Sequence, residues 1–329
     1  MEPLGTFLIL IPIGLAIGTI AALLGLGGGS MMVPVLYLGV FLFTTFPHEK
    51  TMIFATTISS VVILFTGISS TIAYIYQKRV DYIAGLICAV FTVGGAFLGK
   101  MAQPFVGDTA ISIIFSVLLL ASGIRMVYEG IKEIREKARY DDYVINNGEP
   151  PSNPIGPAIL AYPIKRDIVV DNNSTKSSFS KILEKLTLER NFVGKLGRRW
   201  KYKIRLYYTP FAFIAGALAG IAGESGGILI VPILHILLNM PMHFSIGTSA
   251  FIMIFTTSAT IISAVVNPSI SLAGIWWPFV IGLAIGILFG AQIGSLISRR
   301  VKGTYLKLLF ALVVFSVVSW SIARLILDM

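Results

Sequence analysis

Two Gly-rich stretches, residues 25–30 (GLGGGS) and 223–227 (GESGG), are where this sequence offers chemistry through its backbone. Glycine admits positive φ and leaves its N–H group uncovered. If a helix begins after each stretch, its first N–H groups lack intrahelical partners and carry about half a positive charge. Backbone arranged in this way can hold an anion without Lys or Arg. The donors would be Gly27, Gly28, Gly29 and Ser30 in the first stretch, and Ser225, Gly226 and Gly227 in the second. The plainer reading of the same glycines is close helix packing.

Hydroxyls near these breaks could complete an anion cage: Thr56 and Thr57 in the first half, Thr248 and Ser249 in the second, with the amide of Gln292 as a further donor. Back-bonding to a helix carbonyl is the competing role for each hydroxyl. Glu224 stands alone as an acid at membrane depth. Either it carries a coupling proton or it offsets a helix dipole. His48 and His243 precede the third apolar segment of each half and are candidates for proton coupling or for structural hydrogen bonds. Lys100, near a helix end, could steer anions or simply snorkel, and snorkelling is the favoured reading. There is no HExxH, His cluster or carboxylate pair, so neither enzymatic catalysis nor a metal site is expected, and no cofactor.

The elements that must position these groups are apolar. Of 329 residues, 55% are hydrophobic and 13% charged, against about 25% charged in soluble domains. Apolar segments fall at 6–24, 31–44, 52–77, 82–102 and 109–128, then at 209–222, 228–239, 246–266, 275–297 and 304–327. The second segment of each set is short for a spanning helix, which needs about 20 residues. The opening MEPLGTFLILIPIG, with no basic flank, reads as a first membrane segment and not as a cleaved signal.

The two sets repeat. GLGGGSMMVPVL (25–36) matches GESGGILIVPIL (223–234) at one offset, and Gly95 and Gly99 match Gly290 and Gly294. Lys78 and Arg79 mark one loop of the first half. Arg299, Arg300 and Lys302 mark the next loop along in the second. By the positive-inside rule, equivalent helices then run in opposite directions. The expected fold is an all-α polytopic membrane protein of two inverted repeats, with Gly-rich helix breaks near the midplane. The first repeat is 1–129, a basic cytoplasmic linker is 130–208, and the second repeat is 209–329.

The net charge of +10 is concentrated: sixteen of the 26 Lys and Arg lie between Lys132 and Arg205. That distribution suits a cytoplasmic segment near anionic membrane lipids and not a nucleic-acid partner. Within it, residues 179–205 read as a basic amphipathic stretch, lying on the membrane surface or forming a solvated helix.

These residues resemble the sulfite exporter TauE/SafE family. The resemblance rests on Gly25-Leu26-Gly27-Gly28-Gly29 with Val33-Pro34, on 223–227 with Val231-Pro232, and on His243 ahead of Gly247-Thr248-Ser249. It implies transport of sulfite, sulfonates such as sulfoacetate, or related small organic acids. The residues themselves reach only a small anionic substrate moved across the cell membrane by a multi-pass transporter, with proton coupling left open as one role for Glu224, His48 and His243. An anion channel, or a sensor acting through 130–208, are the alternatives. Which anion moves, in which direction, and in what oligomeric state are left open.

Overall fold

The computed structural model describes residues 3–28, 32, 51–105, 117, 120–121, 123–136, 138, 187–193, 199–222, 226–267 and 277–327. Its helices are α1 (Pro3–Leu24), α2 (Thr51–Tyr76), α3 (Tyr82–Ala102), α4 (123–136), α5 (Phe211–Ala222), α6 (Gly227–Pro232), α7 (Met242–Val266), α8 (Trp277–Arg300) and α9 (Gly303–Leu327). Among the described residues, four stretches are long and apolar enough to cross a membrane: Thr56–Tyr76, Tyr82–Phe105, Met242–Val266 and Val280–Arg300. The expected apolar segments 31–44 and 109–128 fall largely outside the described residues.

Polarity is arranged inside out. Val90 is 72% exposed and Phe289 64%, while Ser59, Thr92, Lys100, Thr256 and Ser263 are fully buried. Hydrocarbon as the outer solvent accounts for both facts: apolar side chains are at home in it, and polar groups must find partners within the bundle. The chain is therefore an all-α polytopic membrane protein, with one small β-hairpin among the described residues.

Short local signals set the corners. Lys78 adopts φ 55°, and the bonds Arg79 N–H to Tyr74 O and Lys78 N–H to Ile75 O close a Schellman stop on α2. Asp81 then caps α3, its carboxylate accepting from the N–H groups of Ile83 and Ala84. In the second half, α6 lasts only six residues. At Pro232, which cannot donate a helix bond, it passes into a π turn over Ile233–Leu237.

Glycine-lined contacts join the halves pairwise. A Cβ on Gly95 would collide with Phe213 O of α5, and one on Gly290 with Leu15 O of α1. Gly99 meets Ala217 O, and Gly294 meets Thr19 O. The offset that aligns the Gly-rich breaks also aligns Leu15 with Phe213 and Thr19 with Ala217, so the two interfaces match residue for residue. Both pairs run parallel.

Hydrogen bonds extend the pattern. Thr256 Oγ1 reaches Thr92 Oγ1 at 3.1 Å and Ser263 reaches Phe97 O at 3.0 Å, so α7 runs parallel to α3. Ser69 reaches Leu288 O and Gln77 reaches Ser295 O, so α2 runs parallel to α8. Helix α7 starts at the α2–α3 corner, where Asp81 N–H donates to Thr248 Oγ1. It then runs back along α2 to place Ile254 and Ala250 beside Gly67.

The basic stretch departs from expectation. Thr187–Val193 and Arg199–Arg205 form an antiparallel hairpin, β1 and β2, with Thr187 opposite Arg205 and Val193 opposite Arg199. The helical expectation overlooked that RWKYKIR alternates with period two, the signature of a strand. Arg205 N–H ties the hairpin to Leu238 O, at the end of the π turn.

Candidate functional site

Each Gly-rich break ends in a helix start. Gly28, at φ 84°, offers its carbonyl to Met32 N–H at 2.7 Å, and Gly226, at φ 68°, offers its carbonyl to Ile230 N–H at 2.8 Å. These four residues correspond at the offset that aligns the two Gly-rich stretches. So do their neighbours: a Cβ on Gly28 would stand 3.0 Å from Ala21 Cβ, and one on Gly226 3.1 Å from Ala219 Cβ. The breaks also touch each other. A Cβ on Gly227 would lie 2.7 Å from Gly25 O and 2.8 Å from Leu26 O. Gly27, at φ 75°, shares the left-handed turn. Gly29, Ser30, His48, Glu224 and Ser225 lie outside the described residues.

The hydroxyl pairs are not brought into one cage. Ser249 Oγ donates to Gly25 O at 2.8 Å and to its own Ile246 O, fastening α7 to the first break. Thr248 Oγ1 accepts from Asp81 N–H, fastening α7 to α3. Thr56 and Thr57 lie elsewhere. Gly67, beside Ala250, is ten residues further along α2 than Thr57, which separates the pairs by about 15 Å. Gln292 spends its amide on Ser69 O and Ser69 Oγ at 2.8 and 2.9 Å, a bond between α8 and α2. His243 sits at the far corner, its Nδ1 facing Arg79 Nη1 at 3.5 Å. Nearly the whole length of α3 separates it from Lys100, about 28 Å.

What does gather around Thr56 and Thr57 is a cation. Lys100 is fully buried, with Nζ 3.3 Å from Thr56 Oγ1 and 3.5 Å from Thr57 Oγ1. Snorkelling is thus overturned. The amine is drawn inward because Gly99 and Gly220 let α3 and α5 meet backbone to backbone, Gly220 packing on Ala96 O and Lys100 N–H. Gln103, 7% exposed, donates from Nε2 to Thr56 Oγ1 at 3.3 Å, while its Oε1 has no hydrogen-bond partner among the described residues. Ser59, one helical turn along α2 from Thr56, likewise has a buried hydroxyl with no such partner.

A lysine held inside a membrane bundle costs several kcal/mol as a cation unless something offsets its charge. Among the described residues no carboxylate lies within ion-pair distance of Lys100, and two long hydroxyl bonds are weak compensation. The arrangement gathers an amine, two hydroxyls and an amide, groups suited to an oxyanion: Nζ can supply charge, and Thr and Gln can supply directional donors. The signal was present in the sequence as a lysine beside a Gly-xxx-Gly face (Gly95, Gly99), which foretells close backbone approach at that level.

Comparison with known proteins agrees with this picture. The chain is 27% identical over 300 residues to the probable membrane transporter protein YunE of Bacillus subtilis, covering 90% of each chain. It is 20% identical over 317 residues to a probable membrane transporter protein of Methanocaldococcus jannaschii, covering 93% of this chain and 92% of that one. A probable membrane transporter protein of Haemophilus influenzae matches at 29% over 121 residues, 36% of this chain and 42% of its own. No solved structure matches. The model of the family described as sulfite exporter TauE/SafE matches residues 10–320, and the chain, a multi-pass membrane transporter, belongs to that family.

Proposed function

We propose that this transporter moves a small oxyanion, sulfite or a sulfonate, across the cell membrane by alternating access, and that Lys100, Thr56, Thr57 and Gln103 bind it. The observation that carries the reading is a buried lysine resting on two hydroxyls at 3.3 and 3.5 Å, at the level where α5 leads into the second break. The family description supports a sulfur oxyanion; the pocket supports the charge and the oxygens. The two halves are inverted repeats, with 130–208 on the cytoplasmic side. Matching α1–α8 and α5–α3 contacts support the repeat. Inversion is supported by α2 running with α8 while its counterpart α7 runs against it.

All four binding side chains are 7% exposed or less, so the anion enters and leaves only when the bundle opens. The test is sulfite and sulfonate flux in proteoliposomes. Lys100→Gln is expected to lose flux at least about tenfold, the effect of removing one charge-assisted bond, with Lys100→Arg retaining more. Wild-type flux in Lys100→Gln at unchanged KM would overturn the site.

A further inference from the structure

A second buried charged cluster lies far from Lys100, where the π turn meets α4 and α9. His235, in the π turn, places Nδ1 2.7 Å from Met240 O and Nε2 3.2 Å from Glu129 Oε2 of α4. Lys307 of α9 lies 3.7 Å from Glu129 and 2.7 Å from Glu133, whose other oxygen accepts from Thr304 Oγ1 at 2.8 Å. Arg125 approaches Glu129 Oε1 at 3.5 Å. Arg205, exposed on β2, completes the charged groups near this turn, reaching Leu238 O through its main chain.

The ring nitrogens carry the argument. A carbonyl oxygen only accepts, so Nδ1 holds a proton and donates to Met240 O. In a neutral ring Nε2 is then a bare lone pair, facing a carboxylate that Lys307 and Arg125 keep ionised. In the imidazolium it carries a proton and a positive charge, and the approach to Glu129 becomes an ion pair. The attraction between the two side chains therefore depends on that proton. Side-chain exposure is 10% at His235 and 26% at Glu129, so the pair is largely buried.

We propose that His235 and Glu129 form a proton-binding site that fastens the broken helix α6 and its π turn to α4. Proton binding holds the segment in the arrangement seen here; proton loss frees it. The same segment begins at Gly226 and Gly227, which touch the first break, so the proton acts on the element that leads into the anion pathway. The link to flux rests on the transport reading above; the proton site itself does not.

The test is hydrogen exchange of residues 233–240 in full-length protein in detergent, expressed as protection factors, for wild type, His235→Gln and Glu129→Gln. Between about pH 5.5 and about pH 8, the range in which histidine changes charge, wild-type protection is expected to fall about tenfold. Both variants should stay flat. Equal pH dependence in wild type and variants, or none in wild type, would overturn the site. Flux is measured on the same proteins. If none of them moves any anion while exchange follows the expected pattern, the transport reading fails and the proton site stands.

Discussion

Two hydroxyl pairs that look equivalent in sequence have been given different work. Thr56 and Thr57 accept hydrogen bonds from a buried amine, whereas Thr248 accepts from the Asp81 N–H and Ser249 donates to Gly25 O. Replacing a hydroxyl by a methyl should separate these roles. Thr56→Val or Thr57→Val removes a partner of the Lys100 amine and of any anion beside it, so KM should rise about fivefold to tenfold with thermal stability nearly unchanged. Thr248→Val leaves a fully buried N–H without its acceptor, costing about 1–3 kcal/mol of stability while KM holds. Flux titrations and melting in detergent distinguish the two. A shared KM defect would mean that both pairs face the anion.

At the scale of elements, the sequence announced the breaks, the short sixth helix and the glycine faces because each is a local demand: positive φ, a missing Pro donor, a backbone that must approach another. The depth of Lys100 was not local. It follows from which helix meets Gly99, and α5 comes from the other half of the chain, so counting residues to the end of α3 pointed to the surface. The hairpin was missed for another reason: charge density drew the eye to a helical face, while the alternation in 199–205 was already that of a strand. The matched interfaces permit a paired experiment. Gly99→Val and Gly294→Val push apart equivalent helix pairs, so each should lower stability by about 1–3 kcal/mol. Only Gly99→Val, next to Lys100, should also raise KM. Loss of affinity in Gly294→Val alone would place the anion at the opposite end of the repeat.

For the whole molecule, the pairing of helices bears on what moves. The first helix of each half packs backbone to backbone against the fourth apolar segment of the other, so a rigid swing of one sequence half against the other would tear the tightest contacts in the bundle. The contacts divide the helices differently: α1, α2 and α8 run together, and α3, α5 and α7 run together against them. These mixed bodies can slide where α2 crosses α7, near Gly67 and Ile254, without parting the α1–α8 or α3–α5 interface. The pocket suits that boundary, since Thr56 and Thr57 come from one body and Lys100 and Gln103 from the other. Separating the bodies would open it; closing them would seal it. Disulfides test this in a Cys88→Ala background. Thr92→Cys with Thr256→Cys joins two helices of one body at a place where their hydroxyls already stand 3.1 Å apart, and flux should survive oxidation. Gly67→Cys with Ile254→Cys joins the two bodies, and oxidation should arrest flux until a reductant restores it. If both pairs arrest transport, the sequence halves move as units after all, and the glycine interfaces must part in every cycle.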